Sequence, residues 1–370
     1  MGHKTMHPKQ YRHYVLLLMV SALLAVHTRA QSFKNLDNWM EENTAALGGR
    51  SLLLIYKDGQ IVYSKAVNRM SPKQKLGNRL IARRQGKNAN IEDYDVNTRQ
   101  PIASCSKWLS AALVMTFIDD GSLKLSDTVG RYLPVLSAHG KGGITISQCL
   151  SHLTGINAPP LKESLAGIKQ IQTMDEAIEL IADMPMEGKP GSVFHYSNAG
   201  LQIAGAVIEK ISGKSFETLF AERIAKPLGM TNTDFGKNKV ALPAGGAYST
   251  PNDYLNFLVM ILNKGTFNGK RILSEKSINE MQVNRLNGVR IAYSPAEAGG
   301  FGYGYGEWIM DKTTGSANAR AVSSPGLFGS FPWIDNEKHY AAFLMTYNLR
   351  NKGRNEKYQE LKPLVDEALH

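Results

Sequence analysis

Ser104 and Lys107 are the residues of this 370-residue chain whose types and spacing first suggest chemistry. They lie in "PIASCSKWLSAALVMTFI", residues 101–118, where apolar side chains from Ile102 to Ile118 leave no clear polar face. A helix of that kind belongs in the core of a large domain. A start near Ala103 or Ser104, after Pro101, puts Lys107 in the first turn, where the helix dipole disfavours a cation. A buried, unpaired ammonium is costly unless the group gives up its proton. A lysine held neutral is a base, and Ser104, three residues earlier, shares its helical face. A serine hydroxyl is a poor nucleophile at neutral pH and needs such a base beside it. The alternative reading, Ser104 as a helix N-cap, accounts for the serine but not the lysine, because a capping box wants Glu or Gln at that offset.

Two further stretches could complete a site. In "PGSVFHYSNAGL", residues 190–201, a Pro-Gly turn leads into Tyr196-Ser197-Asn198 just ahead of an apolar helical run. The alternatives are a core tyrosine with a bonded hydroxyl and an asparagine helix cap. Tyr254-Leu255-Asn256 repeats the Tyr-x-Asn spacing, but inside a helical run those side chains would not project together into a cleft. The third stretch is Ser323-Ser324-Pro325-Gly326-Leu327 at the end of a strand-like run. Gly326 would permit close approach of a substrate backbone, and Pro325 leaves that edge without a donor.

With these stretches in this order, the chain resembles the serine β-lactamase and penicillin-binding superfamily, in its class C β-lactamase, D-alanyl-D-alanine carboxypeptidase and esterase branch. The phrases "IASCSK" (102–107), "LKLSDTVGRYLP" (123–134), "ITISQCLSHLTG" (144–155), "PGSVFHYSN" (190–198) and "PLGMTNT" (227–233) carry the resemblance over nearly all of the chain after residue 30. It implies that Ser104 is the acylated nucleophile, Lys107 its proton acceptor and Tyr196 the relay to the leaving group. Asn198 would bond the substrate, and the N–H groups of Ser104 and Leu327 would form the oxyanion hole. Where the family has Lys or His followed by Thr or Ser, this chain has Ser324 and Pro325. The lost cation and hydroxyl would hold the carboxylate of a penicillin or a D-alanine terminus. The departure favours esters or amides without a free carboxylate. Arg320, four residues upstream of Ser324, is the candidate cation to substitute, with its position not fixed by the sequence. No Gly-x-Ser-x-Gly elbow occurs, His152 reads as a loop-fixing residue, and His195 is a neighbour on the Tyr196 segment.

The expected reading is a serine hydrolase working through an acyl-enzyme on a small ester, amide or peptide, with weak or no β-lactamase activity. A D-Ala-D-Ala carboxypeptidase or β-lactamase, or a binding protein on the same fold without turnover, stands as the alternative. No cofactor and no metal are expected, since Cys105 and Cys149 read as buried free thiols and two cysteines make neither a zinc site nor a disulfide framework.

The elements that must position these groups are strands at both ends of the chain with helices between. Residues 33–47 read as an amphipathic helix, and "SLLLIYKDGQIVYSKA" (51–66) as a hairpin turning at Asp58-Gly59. Helices are expected over 144–156, 173–182, 199–211, 215–225, 252–263, 274–282 and 355–369. Strands over 301–309, 319–324, 327–334 and 340–348 would form a meander. One antiparallel sheet built from both ends, flanked by helices and carrying a large helical insertion, explains the pattern. The fold class is α/β (α+β), which the resemblance makes β-lactamase/transpeptidase-like. The expected division is 31–106 with 240–370 as the sheet domain and 107–239 as the helical domain, with the site between them.

The net charge of +11 comes partly from residues 1–30, which hold four cations and no acid, so the remainder carries +7. Those residues read as a secretory leader: a basic start, an apolar run over 14–26, then Thr28 and Ala30 placed for cleavage before Gln31. The apolar run is short for a membrane span. A periplasmic or secreted protein with no stable membrane insertion after cleavage is expected. A second basic block over 68–90 reads as a surface loop and an insertion; lacking interleaved aromatics, it does not suggest nucleic-acid binding. Oligomeric state is left open.

Overall fold

The computed structural model describes residues 33–86, 88–159, 171–236, 239–295, 298–310, 319–349 and 353–369. The leader read over residues 1–30 lies outside them. Among the described residues, a helix over 33–43 (α1) leads into strands Arg50–Lys57 (β1) and Gln60–Asn68 (β2). Asp58 and Gly59 between them both take positive φ, 51° and 83°, the two-residue turn whose twist matches the strands it joins.

The basic block is not a loop. Pro72–Arg84 forms a helix (α2), started by a capping box in which Ser71 accepts from the Gln74 N–H and the Gln74 side chain bonds the Ser71 N–H, with Pro72 in the first turn. Then come Ser106–Asp119 (α3), Ala199–Ser212 (α4) and Pro251–Leu262 (α5). Five strands follow: Gly302–Tyr303 (β3), Trp308–Ile309 (β4), Ala321–Ser323 (β5), Phe331–Asp335 (β6) and Tyr340–Thr346 (β7). Helix Arg354–Ala368 (α6) ends the described chain.

These seven strands form one antiparallel sheet in the order β2-β1-β7-β6-β5-β4-β3, beside three two-stranded pairings among the described residues. The first hairpin pairs with the last strand, so the expected joining of both ends holds, as does the α/β class. The strand expected over 301–309 is a hairpin of two short strands, opened at Gly304 and Gly306. The run 327–334 begins with a turn and pairs only from Phe331. Met174–Ala182, capped by Thr173, matches the expected helix, whereas Ile146–Leu150, capped by Thr145, is a single short helix that ends well before residue 156.

The sheet is covered on both faces, which is why β1 is an unbroken apolar run and not an alternation. Leu53 and Ile55 face Leu36, Met40, Leu361 and Val365 of α1 and α6. Leu52 and Leu54 join the larger cluster that holds α3, α4 and α5. Burying each such leucine or isoleucine contributes about 1.5–3 kcal/mol. Helix α3 runs through that larger cluster and is buried along nearly its whole length, as its composition requires. Its first turn is therefore a fixed platform at one edge of the sheet.

Candidate active site

The chain approaches α3 through a tight turn. Ala103 takes φ +47°, uncommon for a residue with a β-carbon. Residues Ala103–Cys105 are a 3-10 turn, and the α-helix proper starts at Ser106. Local bonds hold this strained entry: Ser106 Oγ donates to the Ala103 carbonyl at 2.6 Å, and the Ala247 N–H donates to Ser106 Oγ at 3.0 Å. From α5, the Tyr254 hydroxyl donates to the Cys105 carbonyl at 2.8 Å. Ser104 caps nothing, so the N-cap reading fails.

Lys107 is 1% exposed, and Ser104 is 9% exposed at the surface above it. The Lys107 Nζ lies 3.3 Å from Ser104 Oγ, 3.3 Å from Asn198 Oδ1 and 2.7 Å from the Ala244 carbonyl oxygen. It also stands 4.8 Å from the centre of the Tyr196 ring. No carboxylate pairs with it among the described residues. Burial alone brings its pKa down from 10.5 to about 7. A neutral amine has two N–H donors and one lone pair. Asn198 Oδ1 and the Ala244 carbonyl can take the donors, which turns the lone pair toward the Ser104 hydroxyl. The geometry suits a general base.

Tyr196 and Asn198 arrive together, as expected. Asn198 occupies the N-cap position of α4, but its side chain makes no capping bond and reaches Lys107 instead. Tyr196 is half-buried and packed between Trp308 and His152, with ring centres 5.1 and 4.7 Å away. His152 does fix this segment: it accepts the Ser197 N–H at Nδ1 and stands 3.0 Å from the Tyr303 hydroxyl at Nε2, with φ +58°. Burial first, then the Lys107 charge, holds its pKa well below the usual histidine value, so it is neutral. His195 pairs with Glu187. Tyr254 and Asn256 do not enter the site; Asn256 bonds the Leu228 carbonyl.

The third stretch reaches the nucleophile in a manner the sequence did not reveal. Ser324 is 2% exposed, and its hydroxyl lies 3.0 Å from the Gly306 carbonyl and 3.3 Å from that of Ser104. It ties backbone to backbone. Gly326 is needed for close approach, but of the protein's own chain: a β-carbon there would lie 2.3 Å from the Ile102 carbonyl oxygen. The N–H of Leu327 meets no acceptor among the described residues, while its carbonyl accepts from Arg354 at 2.8 Å. Arg320 is not at the site; it is exposed and paired with Glu337 beyond the far end of β5. Arg354 does reach the turn, yet it is buried and directed at the carbonyls of Leu327 and Asn348.

Sequence reasoning missed Ala244, Ser106 and Arg354. The first acts through a backbone carbonyl that any residue could supply, and the others sit in no motif. It also missed Glu307, beside Gly306, which is fully buried with neither carboxylate oxygen bonded to a donor among the described residues. Burial holds its pKa well above the usual value.

A family model described as Beta-lactamase matches residues 36–365. An Escherichia coli K12 protein with the provisional name D-alanyl-D-alanine carboxypeptidase is 27% identical over 214 residues, 55% of this chain and 47% of the relative. The crystal structure of a provisionally assigned β-lactamase from Bacteroides dorei superposes with a TM-score of 0.75 at 26% identity, covering 91% of this chain and 98% of that one. A family VIII carboxylesterase superposes with a TM-score of 0.67 at 19% identity, covering 91% and 96%.

Proposed function

The chain belongs to the β-lactamase family, and on that premise we propose that it is a serine hydrolase acting through an acyl-enzyme on esters or amides that lack a free carboxylate. The observation that carries this reading is the Lys107 amine, enclosed, uncompensated by a carboxylate and 3.3 Å from Ser104 Oγ.

In the proposed reaction Ser104 Oγ attacks the substrate carbonyl carbon as its proton passes to Lys107 Nζ. The carbonyl electron pair moves onto oxygen, which the N–H groups of Ser104 and Leu327 receive. When the tetrahedral intermediate collapses, the bond to the alcohol or amine breaks. That group leaves with a proton delivered through Tyr196, beside Lys107. Water then repeats the sequence on the acyl-enzyme, with Lys107 as base, and frees the acid. The same route serves a non-β-lactam ester as well as a lactam, so substrate choice rests on recognition.

On this reading, the choice between an ester and a β-lactam rests on recognition of the carboxylate. The Ser324 hydroxyl is engaged by backbone, Pro325 has no N–H, Arg320 is paired elsewhere and Arg354 is buried among carbonyls. A bond to a charged group contributes about 1.5–3 kcal/mol, so lacking one such contact lowers affinity for a carboxylate roughly ten- to a hundred-fold. The test is kcat/KM for a short-chain p-nitrophenyl ester against a penicillin. The ester should be the better substrate by a wide margin; a penicillin hydrolysed faster would overturn the proposed preference. Periplasmic or secreted placement rests on the leader read over residues 1–30, and N-terminal sequencing of the protein recovered from its host tests it.

A further inference from the structure

The proposed reaction leaves the outward face of helix α2 unexplained. The helix carries Lys73, Lys75, Arg79, Arg83 and Arg84 and no acid. None of the five cations joins an ion pair among the described residues. The side facing the protein is short and small: Ala82 is its single buried residue. Leu76 and Leu80, four residues apart, share the opposite face, with Ile81 on its flank. These three are 57%, 52% and 57% exposed. Lys73, Arg83 and Arg84 border that face. Aliphatic side chains aimed at solvent between unpaired cations are the pattern of a helix that lies in a membrane interface.

We propose that α2 docks the protein peripherally on an anionic lipid surface, with Leu76, Leu80 and Ile81 entering the headgroup boundary and the surrounding cations meeting lipid phosphates. Charge decides among occupants. A second copy would set five cations against five, which repel. A purely electrostatic polyanion would need the cations but not three exposed aliphatics, and α2 has no aromatic ring on which a base could stack. Among the described residues no helix is long and apolar enough to cross a membrane, so the contact is interfacial. The position is also suggestive of use. Gln74 of α2 bonds the Gly48 carbonyl, Gly48 lies against Tyr347, and the Tyr347 ring packs 5.5 Å from Phe328 in the turn after Leu327. Docking through α2 therefore brings the oxyanion-turn end of the sheet to the lipid surface.

The fold supplies a clean probe site. Cys105 and Cys149 are fully buried, and a β-carbon at Gly77, on the outer half of α2, would meet nothing within 4 Å. The full chain carrying Gly77→Cys, labelled with an environment-sensitive fluorophore, reports on α2 whatever residues 1–30 do. It is titrated with vesicles of phosphatidylcholine alone or with about a third phosphatidylglycerol, at salt giving a Debye length of about 8 Å. The expected result is a blue shift on the anionic vesicles, with partition at least roughly tenfold stronger than on neutral ones. Arg79→Glu with Arg83→Glu and Arg84→Glu should abolish it, and Leu76→Ser with Ile81→Ser should remove the blue shift, both at unchanged Tm. Any of four results overturns the proposal: no shift on anionic vesicles; equal binding to neutral ones; full binding by the serine variant, which means a polyanion contact; or a concentration-dependent shift without lipid, which means self-association.

Discussion

Lys107 donates to the Ala244 carbonyl at 2.7 Å, its shortest contact, and so is held by a backbone acceptor where an ion pair would otherwise be expected. A carboxylate there would favour the ammonium; a neutral carbonyl orients the nitrogen and leaves the pKa drop caused by burial intact. The base is set by what is missing around it as much as by what touches it.

The rate of acylation should therefore follow the free amine. Deprotonation through a pKa of about 7 converts Lys107 to its active form, so kcat/KM for a neutral ester should rise with pH through that value and level off above it. Below it, each further pH unit should cost about tenfold. Lys107→Arg places there a larger side chain that stays cationic and cannot release its proton, and its kcat should drop by roughly a thousandfold or more at every pH. A pH series on both proteins checks this; an active arginine variant removes the lysine from the base role.

Asn198→Asp makes a sharper test, because it changes the Lys107 pKa without touching the nucleophile. A carboxylate 3.3 Å from Nζ replaces a neutral amide oxygen and should raise the lysine pKa by roughly 1–3 units. At pH 7 the rate should drop about five- to five-hundred-fold, and much of the loss should return at higher pH. A variant equally impaired at all pH values would show that Asn198 acts on substrate alone.

Gly326→Ala should damage folding and catalysis together. The added β-carbon would lie 2.3 Å from the Ile102 carbonyl, so either the turn or the nucleophile segment must move. Overpacking of this kind costs about 1–3 kcal/mol. The expected result is a lowered Tm with kcat reduced more than KM is raised, measured by thermal denaturation and ester kinetics. Wild-type values for both would mean the two segments are not in the contact described.

Glu307 offers a test of stability alone. Burial raises its folded-state pKa well above 4.5, so the native protein retains a proton that the unfolded chain loses. Stability is therefore highest below the unfolded value and falls as pH rises from about 4.5 toward the raised native pKa. Glu307→Gln removes that titration. Its Tm should decline less than wild type as pH rises above about 4.5, and parallel Tm–pH curves would refute the assignment.

Much of this was legible because the informative positions are local. Ser104, Lys107, Tyr196 and Asn198 lie at helix starts, where an out-of-place polar residue shows against an apolar run. The hairpin at Asp58-Gly59 was plain for the same reason. The basic block was misread because its charge suggested a loop, although Ser71-Pro72 with Gln74 is a helix-start signature. That Ser324 and Gly326 also meet the protein's own backbone has no mark in the sequence, because a sequence cannot show which segments lie side by side. The Ala244 carbonyl had no signal at all, since every residue owns one.

The most direct measurement is to trap the acyl-enzyme. The wild-type protein is quenched during turnover of a slow ester, or labelled with a fluorophosphonate, and the modified residue is located by mass spectrometry. The account expects one equivalent on Ser104, none on Ser104→Ala, and ester kcat in that variant lower by several powers of ten. A label on another residue, or Ser104→Ala turning over esters at near wild-type rates, would contradict it.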